Sequence, residues 1–512
     1  MTLLVLHGHF YQPPREDPWT DDVPPERGAA PFHDWNERID AECYRANAFA
    51  RQVDNGPVFN NFARLSFDLG PTLARWIERH DPEVLARLRE ADRASSARFG
   101  GHGNAMAQSY SHAILPLCDP LDRATEIRWG LADFRHRFGR NPEGMWLPET
   151  AADEATLCDL IDHGLSFAVL SPRQAARVRA PGEDWQGVSP ETLDVARPYR
   201  FTHRDGSGRA IAIFFYDGAA AQAVAFGGTA SDSGALLDRL IQAALGKPFV
   251  TVAVDGETFG HHQPHGDRAL ARALFGEAQA RGLRPTNFGE LLERFPPRWD
   301  VEIDLGPLGE GSSWSCFHGV GRWARDCGCR FDPDTVQTWR GPLRAALDFL
   351  RDRSREFYLA ASAPLLRDPW AARDAYVQVL LDPGIATEAR FLGEHATLPG
   401  LRESERVLTL LEMQRQALLM YASCGWFFDD ISGLEAGLVL RRAARLIDLF
   451  RALGGSPPES RFVDLLAAAP SNFAAAGNGA DIYRARRQSG AASHALTASD
   501  RSAVGAVAAG ME

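Results

Sequence analysis

The chain has 512 residues, 45% of them hydrophobic and 24% charged, with a formal net charge of -12. These are the proportions of a globular protein too long for one typical domain, so two domains and an appendage are expected. The mixed, acidic charge argues against a nucleic-acid partner, whose phosphates select a basic surface.

The seven cysteines are scattered and odd in number, which disfavours a disulfide framework and suits a reducing compartment. The apolar run after Met1 stops at His7, too soon for a signal-peptide core, and no apolar run reaches the ~20 residues of a membrane helix. A cytoplasmic protein with no membrane association is expected.

In chain order, strands are predicted over 3–6, 58–62, 98–101, 144–147, 166–170, 210–215 and 249–254. Between them fall helical patterns over 40–52, 82–93, 121–137, 153–163 and 233–245. This alternation is the signature of a parallel α/β sheet, open or closed into a barrel. Seven strands are one short of the common eight-stranded barrel, and periodicity does not choose between the two. The position of the chemistry leans towards a barrel, because His7, Trp146 with Glu149, and Asp255 all follow strand ends.

Pro296-Pro297 and the glycine-rich stretch 306–313 read as a boundary. Helical patterns then run over 341–357, 369–381, 402–423 and 433–453, and Val407, Leu410, Leu411, Ala417, Leu418 and Met420 mark a buried face. From Ala467 the chain turns rich in Ala, Ser and Gly and reads as poorly ordered. The expected division is thus 1–300, 301–466 and 467–512.

Three constellations carry chemistry. In His7-Gly-His9-Phe-Tyr-Gln12-Pro, histidines at i and i+2 of a strand share one face, and Gln12 in the following loop can join them. Imidazoles and an amide suit sugar hydroxyls, since each can donate and accept, although His-x-His is also a metal-ligand spacing. In Gly144-Met-Trp146-Leu-Pro148-Glu149, Pro148 biases Leu147 to an extended conformation and presents Glu149 reproducibly. Trp146 offers a flat face for a sugar ring. In Val-Thr-Val-Ala-Val-Asp255-Gly256-Glu257-Thr-Phe-Gly260-His261-His262, a buried parallel strand delivers Asp255, whose partial desolvation suits a general acid.

The order His-x-His-x-x-Gln-Pro, Trp-x-Pro-Glu, Val-x-Val-Asp-Gly-Glu-x-Phe-Gly resembles glycoside hydrolase family 57. That family comprises α-amylases, 4-α-glucanotransferases, branching enzymes, amylopullulanases and some α-galactosidases. The resemblance implies an incomplete (β/α)7 barrel followed by a mainly helical domain that closes the site. It implies a retaining mechanism on α-glucans or maltooligosaccharides, with Glu149 as nucleophile, Asp255 as acid/base and no cofactor. His7, His9, Gln12, Trp146 and His262 would line the substrate site. His112, in Ser109-Tyr-Ser-His112-Ala-Ile-Leu-Pro116, is similar to the family's second motif and would face the same site.

The stretch Gln416 to Trp426 resembles the family helix that ends in Ser-Asp-Trp, which places Trp426 against a sugar ring. Cys424-Gly425 stands where Ser-Asp is expected, and Asp429 or Asp430 could supply the missing carboxylate. The segments 425–435 and 313–319 look like a helical domain of unknown function attached to some members.

Two rivals remain: a metal-dependent carbohydrate deacetylase drawing ligands from His7, His9, Asp255, His261 and His262, and a catalytically weak glucan-binding protein. Against the deacetylase, no Asp-Asp pair follows an early strand and Trp-x-Pro-Glu has no role in such a site. Cys316, Cys327 and Cys329 with His318 invite a zinc reading, but they lack the usual Cys-x2–4-Cys pairs, so no metal is expected.

Overall fold

The computed structural model describes residues 1–397 and 400–487, which fall into two compact units. The first comprises Met1–Gln12 and Pro25–Val320, and the second comprises Pro13–Pro24 and the chain from Gly321 on.

The first unit is built on seven parallel strands: β1 (Thr2–Phe10), β2 (Ser66–Leu69), β3 (Ala105–Gln108), β4 (Gly144–Trp146), β5 (Phe167–Leu170), β6 (Ala210–Phe215) and β7 (Phe249–Asp255). Their spatial order is β7-β1-β2-β3-β4-β5-β6. β6 and β7 form no ladder; the Asp217 amide just beyond β6 donates to the Thr251 carbonyl at 2.8 Å. The result is an incompletely closed (β/α)7 barrel. All of β1 beyond Thr2 is buried, as is β7 up to Val254, as expected of strands covered on both faces.

Outer helices begin on side-chain caps. Asp119 accepts from the Leu121 and Asp122 amides at the start of α1 (Pro120–Phe138), Asp153 caps α2 (Glu154–Asp162) and Asp232 caps α3 (Ser233–Ala244). Each cap satisfies donors that the helix leaves orphaned, and Gly139 ends α1 in the left-handed conformation at φ 69°.

Two expected strands lie elsewhere. Only Val58–Phe59 of 58–62 is extended, in a hairpin with Ala50–Arg51, and the barrel strand is β2. The stretch 98–101 is the end of the helix Pro82–Arg98 and its exit turn, and the barrel strand is β3. Both true strands are four residues long and carry a polar residue at the site, Asp68 or Gln108, which broke the apolar run that marks a buried strand.

The second unit is helical, with α4 (Arg340–Ser362), α5 (Leu401–Leu419), α6 (Leu434–Ala452) and α7 (Glu459–Leu466). The boundary lies at 320/321 rather than 300, because Trp299–Ile303 pairs with Ala175–Arg179 in the first unit's sheet. Pro13–Pro24 belongs to the helical unit: Arg442 donates to the Pro14 and Glu16 carbonyls, Arg441 pairs with Asp17, and the Trp19 indole donates to Asp448. The poor order expected from Ala467 does not hold as far as 487. There Ile482 and Tyr483 are buried, with Tyr483 packed edge-on against Phe462. The rest of that expectation lies outside the described residues.

Candidate active site

Parallel strands put all their carboxyl ends on one rim, and the register sets which side chains are level there. His9 of β1 stands opposite Asp255 of β7 on one side and Asp68 of β2 on the other, and Gln108 of β3 stands opposite Trp146 of β4.

His7 and His9 share a face, as their spacing predicted, and what joins them is Asp68. One carboxylate oxygen lies 3.0 Å from His7 Nε2, the other 2.9 Å from His9 Nδ1. Gln108 donates to the second oxygen at 2.7 Å, and Ser66 Oγ lies 3.0 Å from His7 Nδ1. Both ring nitrogens of His7 are engaged and the residue is wholly buried, so it supports the rim from beneath rather than touching a ligand.

Burial works against a charged His9, but the Asp68 carboxylate outweighs it, helped by Asp255 and Glu257, and pushes its pKa up to about 9. Burial lowers the pKa of His7, and burial with the nearby His9 charge drives His112 well below the ordinary histidine value. His112 Nε2 lies 3.2 Å from His9 Nε2, and its ring stacks on Tyr11 at 3.7 Å. The set therefore holds one cation, on His9.

Glu149 follows β4 as the notch of a strained turn. Leu147 is extended, as Pro148 dictates, and Glu149 and Thr150 then take left-handed backbone angles, φ 57° and 49°. Gln174 fixes this turn, donating to the Thr150 and Ser312 carbonyls and accepting from the Thr150 hydroxyl. The stretch 312–315 runs alongside: Ser312 and Ala152 exchange backbone hydrogen bonds, and the Trp314 amide donates to the Glu149 carbonyl. On the side chain, Glu149 Oε2 accepts from the Trp314 indole at 3.0 Å and from Ser315 Oγ at 2.6 Å.

Asp255 ends β7 with its side chain open to water. Water can touch it, but the surrounding protein denies it a full hydration shell. That desolvation raises its pKa to about 6; the His9 charge opposes the rise, and the carboxylates of Glu149 and Asp68 add to it. Behind it, burial and the Asp255 charge raise Glu257 to about 7, against the hydrogen bond that Tyr44 donates to it at 2.7 Å. Gln12 donates to the same Tyr44 hydroxyl at 3.1 Å. Tyr44 ends a π turn, Asp40–Tyr44, a local widening of the helix that re-aims one side chain. Gly256 is needed because a Cβ there would lie 2.2 Å from the Phe10 ring; the close neighbour is a side chain rather than a ligand.

Trp146 is not the open aromatic face its sequence context suggested. It is wholly buried, stacked on His7 at 4.6 Å and His9 at 5.3 Å. A half-buried aromatic on this rim is Trp314, edge-on to Trp146 at 5.2 Å. His262 lies in the exposed turn after Asp255, its ring 5.0 Å from that of His261.

Trp426 lies in the core of the helical unit. It is buried and donates its indole N–H to the Arg340 carbonyl, leaving no face for a sugar ring. The carboxylate missing at 425 has a packing cause: even a Cβ there would sit 2.2 Å from Val439 Cγ2. Asp429 and Asp430 do not replace it, since they cap loops through the amides of Phe331, Asp332, Ser432 and Asn472.

Asp68, Gln108, Trp314 and Ser315 are site residues that sequence reasoning missed. The first two sat on strands assigned elsewhere, and the other two follow a glycine-rich stretch that reads as a boundary. Of the five ligands drawn for the deacetylase reading, His7 and His9 each hydrogen-bond Asp68. Among the described residues the donors that converge as a metal would need are a different set, Cys316, His318, Cys327 and Cys329.

Residues 32–303 match the family model described as glycosyl hydrolase family 57, and 336–501 match a domain of unknown function, DUF3536. No curated protein matches the chain in sequence. Similar solved structures include an exo-type maltose-forming amylase from Pyrococcus sp. ST04, with TM-score 0.68 and 15% identity, over 91% of this chain and 83% of that one. A branching enzyme of this type from Pyrococcus horikoshii aligns with TM-score 0.55 and 14% identity, over 91% and 94%. A 4-α-glucanotransferase from Thermococcus litoralis aligns with TM-score 0.52 and 16% identity, over 88% and 58%.

Proposed function

Since the chain belongs to glycosyl hydrolase family 57, we propose that it cleaves or transfers α-glucosidic bonds of α-glucans and maltooligosaccharides with retention of configuration. The observation that carries this reading is the pairing of two unlike carboxyl groups on one rim. Glu149 is a carboxylate aimed by two donors, and Asp255 is a carboxyl held protonated into mildly acidic pH, partly by the charge of Glu149. The similar structures named for amylase, glucanotransferase and branching activities support the substrate class.

In the first step a Glu149 oxygen attacks the anomeric carbon while Asp255 gives its proton to the departing glycosidic oxygen. The Trp314 and Ser315 donors keep the attacking group in one rotamer, so less of its freedom is lost on reaching the transition state. In the second step Asp255, now ionised, takes a proton from water or from a sugar hydroxyl, which attacks the glycosyl-enzyme and frees Glu149. Protonated His9 stabilises the ionised Asp255 between the steps. Trp314 supplies the sugar-stacking face, and His112 and Gln12 support the residues around it.

The test is product analysis with maltooligosaccharides, amylose and glycogen, offered separately to wild type, Glu149→Gln and Glu149→Ala. Wild type is expected to release or re-join α-linked products, Glu149→Gln to lose orders of magnitude in rate, and Glu149→Ala with azide to form the inverted glucosyl azide. Near-normal turnover by Glu149→Gln would overturn the assignment.

A further inference from the structure

Four metal-type donors converge in one continuous stretch, 316–329, just beyond the Glu149-binding pair. The sulfurs of Cys316, Cys327 and Cys329 and a ring nitrogen of His318 all lie within 4.8 Å of one another. A tetrahedral zinc with Zn–S bonds of about 2.3 Å places its donors about 3.8 Å apart, so the four positions fit one ion with small adjustments. None of the seven cysteines forms a disulfide.

The local backbone explains how an unusual spacing builds the set. The donors come as Cys-x-His and Cys-x-Cys, pairs too close for the familiar loops with two to four residues between cysteines. Gly319 and Gly328 turn the chain at φ 77° and 81°, a conformation that costs glycine little. The Ser313 hydroxyl ties the first turn to the Gly319 carbonyl, and Asp326 accepts from the Gly328 amide. Arg340, fully buried, donates to the Cys329 carbonyl and lies within electrostatic reach of the Cys327 and Cys329 thiols. A cation beside thiols favours the thiolates that a metal needs.

We propose that Cys316, His318, Cys327 and Cys329 bind one structural zinc ion. Three thiolates and one imidazole are a closed, soft donor set with no position left for water or substrate. Binding expels three thiol protons and leaves the site with a net charge of minus one, beside Arg340. Because Cys316 directly follows Ser315, the ion clamps the segment that holds Trp314 and Ser315 on Glu149. That consequence rests on the proposed function; the binding itself does not.

The experiment is metal analysis of the purified full-length protein by mass spectrometry, with thiols kept reduced. About one zinc per chain is expected, lost in Cys316→Ser and in Cys327→Ser and retained in Glu149→Gln. In case the serine variants fold poorly, wild type stripped by a chelator and refilled with cobalt should show thiolate charge-transfer and tetrahedral ligand-field bands. Zinc removal should also make 316–329 more sensitive to protease and lower kcat more than it raises KM. A reduced wild type that takes up neither zinc nor cobalt stoichiometrically, or serine variants that bind as wild type does, overturns the site. Zinc present while Glu149→Gln stays active would instead overturn the catalytic reading and leave the metal site standing.

Discussion

Glu149 depends on neighbours far along the chain for its aim. Two donors converge on one carboxylate oxygen, and a hydrogen bond to a charged group contributes about 1.5–3 kcal/mol. Trp314→Phe and Ser315→Ala are each expected to lower kcat by about 10–100-fold, with circular dichroism unchanged. A Trp314→Phe enzyme with normal kcat would show that the indole bond does not matter in turnover. Asp255 sets the pH response: with a pKa near 6 it is protonated below that value and loses its proton above it. The alkaline limb of kcat/KM, measured on the free enzyme's terms, should therefore fall near 6 and disappear in Asp255→Asn, which should retain little activity. His9 carries the opposite dependence. Its folded pKa, about 9, is above the ordinary 6.5, so its contribution to stability is complete below about 6.5 and is lost as pH rises through 9. In Asp68→Asn most of that loss should vanish, and the His9 ring resonance should titrate at lower pH than in wild type, since burial is then opposed only by Asp255 and Glu257. Little of this was legible in advance. The motifs gave Glu149, Asp255 and the two histidines, because those follow long apolar strands or a proline. Asp68 and Gln108 were hidden because the same polarity that makes them useful interrupts short strands.

At the level of elements, the helix ending at Leu419 and the turn after it show how a family pattern can be kept in outline and changed in chemistry. Gly425 stands where packing against Val439 leaves no room for a side chain. Gly425→Asp, which restores the expected carboxylate, should cost about 1–3 kcal/mol through overpacking and raise no activity. Trp426→Ala should lower the melting temperature strongly, as loss of a buried aromatic costs about 3–5 kcal/mol, with KM for maltooligosaccharides unchanged. A selective rise in KM at constant stability would return Trp426 to a binding role. The helix α5 was readable from its apolar period, and its partner contacts were not, because periodicity reports that a face is buried and says nothing of what covers it. The same limit applies to Trp146. Its sequence context marked an aromatic at a strand end, and only the fold shows that His7 and His9 already cover its ring.

At the scale of the molecule, the alternation of strands and helices and the helical continuation were readable from the sequence, the incomplete barrel came from the family resemblance, and two of the seven strands were misplaced. The boundary was misplaced by about twenty residues because Trp299–Ile303 is a sheet strand that precedes the glycine-rich stretch. The assignment of Pro13–Pro24 to the helical unit had no local signal at all, since it depends on pairings such as Arg441 with Asp17, 424 positions apart. This has a consequence in the ribosome. Pro13–Pro24 emerges long before the arginines that accept it, since Arg441 follows its partner Asp17 by 424 positions. For most of the time of synthesis the segment must wait as an unanchored loop between a strand and a helix of a barrel that is already able to assemble around its ends. Its docking is therefore a late event that the order of translation imposes, and it should be the step most sensitive to loss of Arg442, whose guanidinium joins the Pro14 and Glu16 carbonyls. In a cell-free synthesis stopped at intervals, protease should cut within 13–24 in every nascent chain whose Arg442 is not yet made or still lies in the exit tunnel, and spare it only after Arg442 has emerged. An Arg442→Met chain should stay open to cleavage there even when complete.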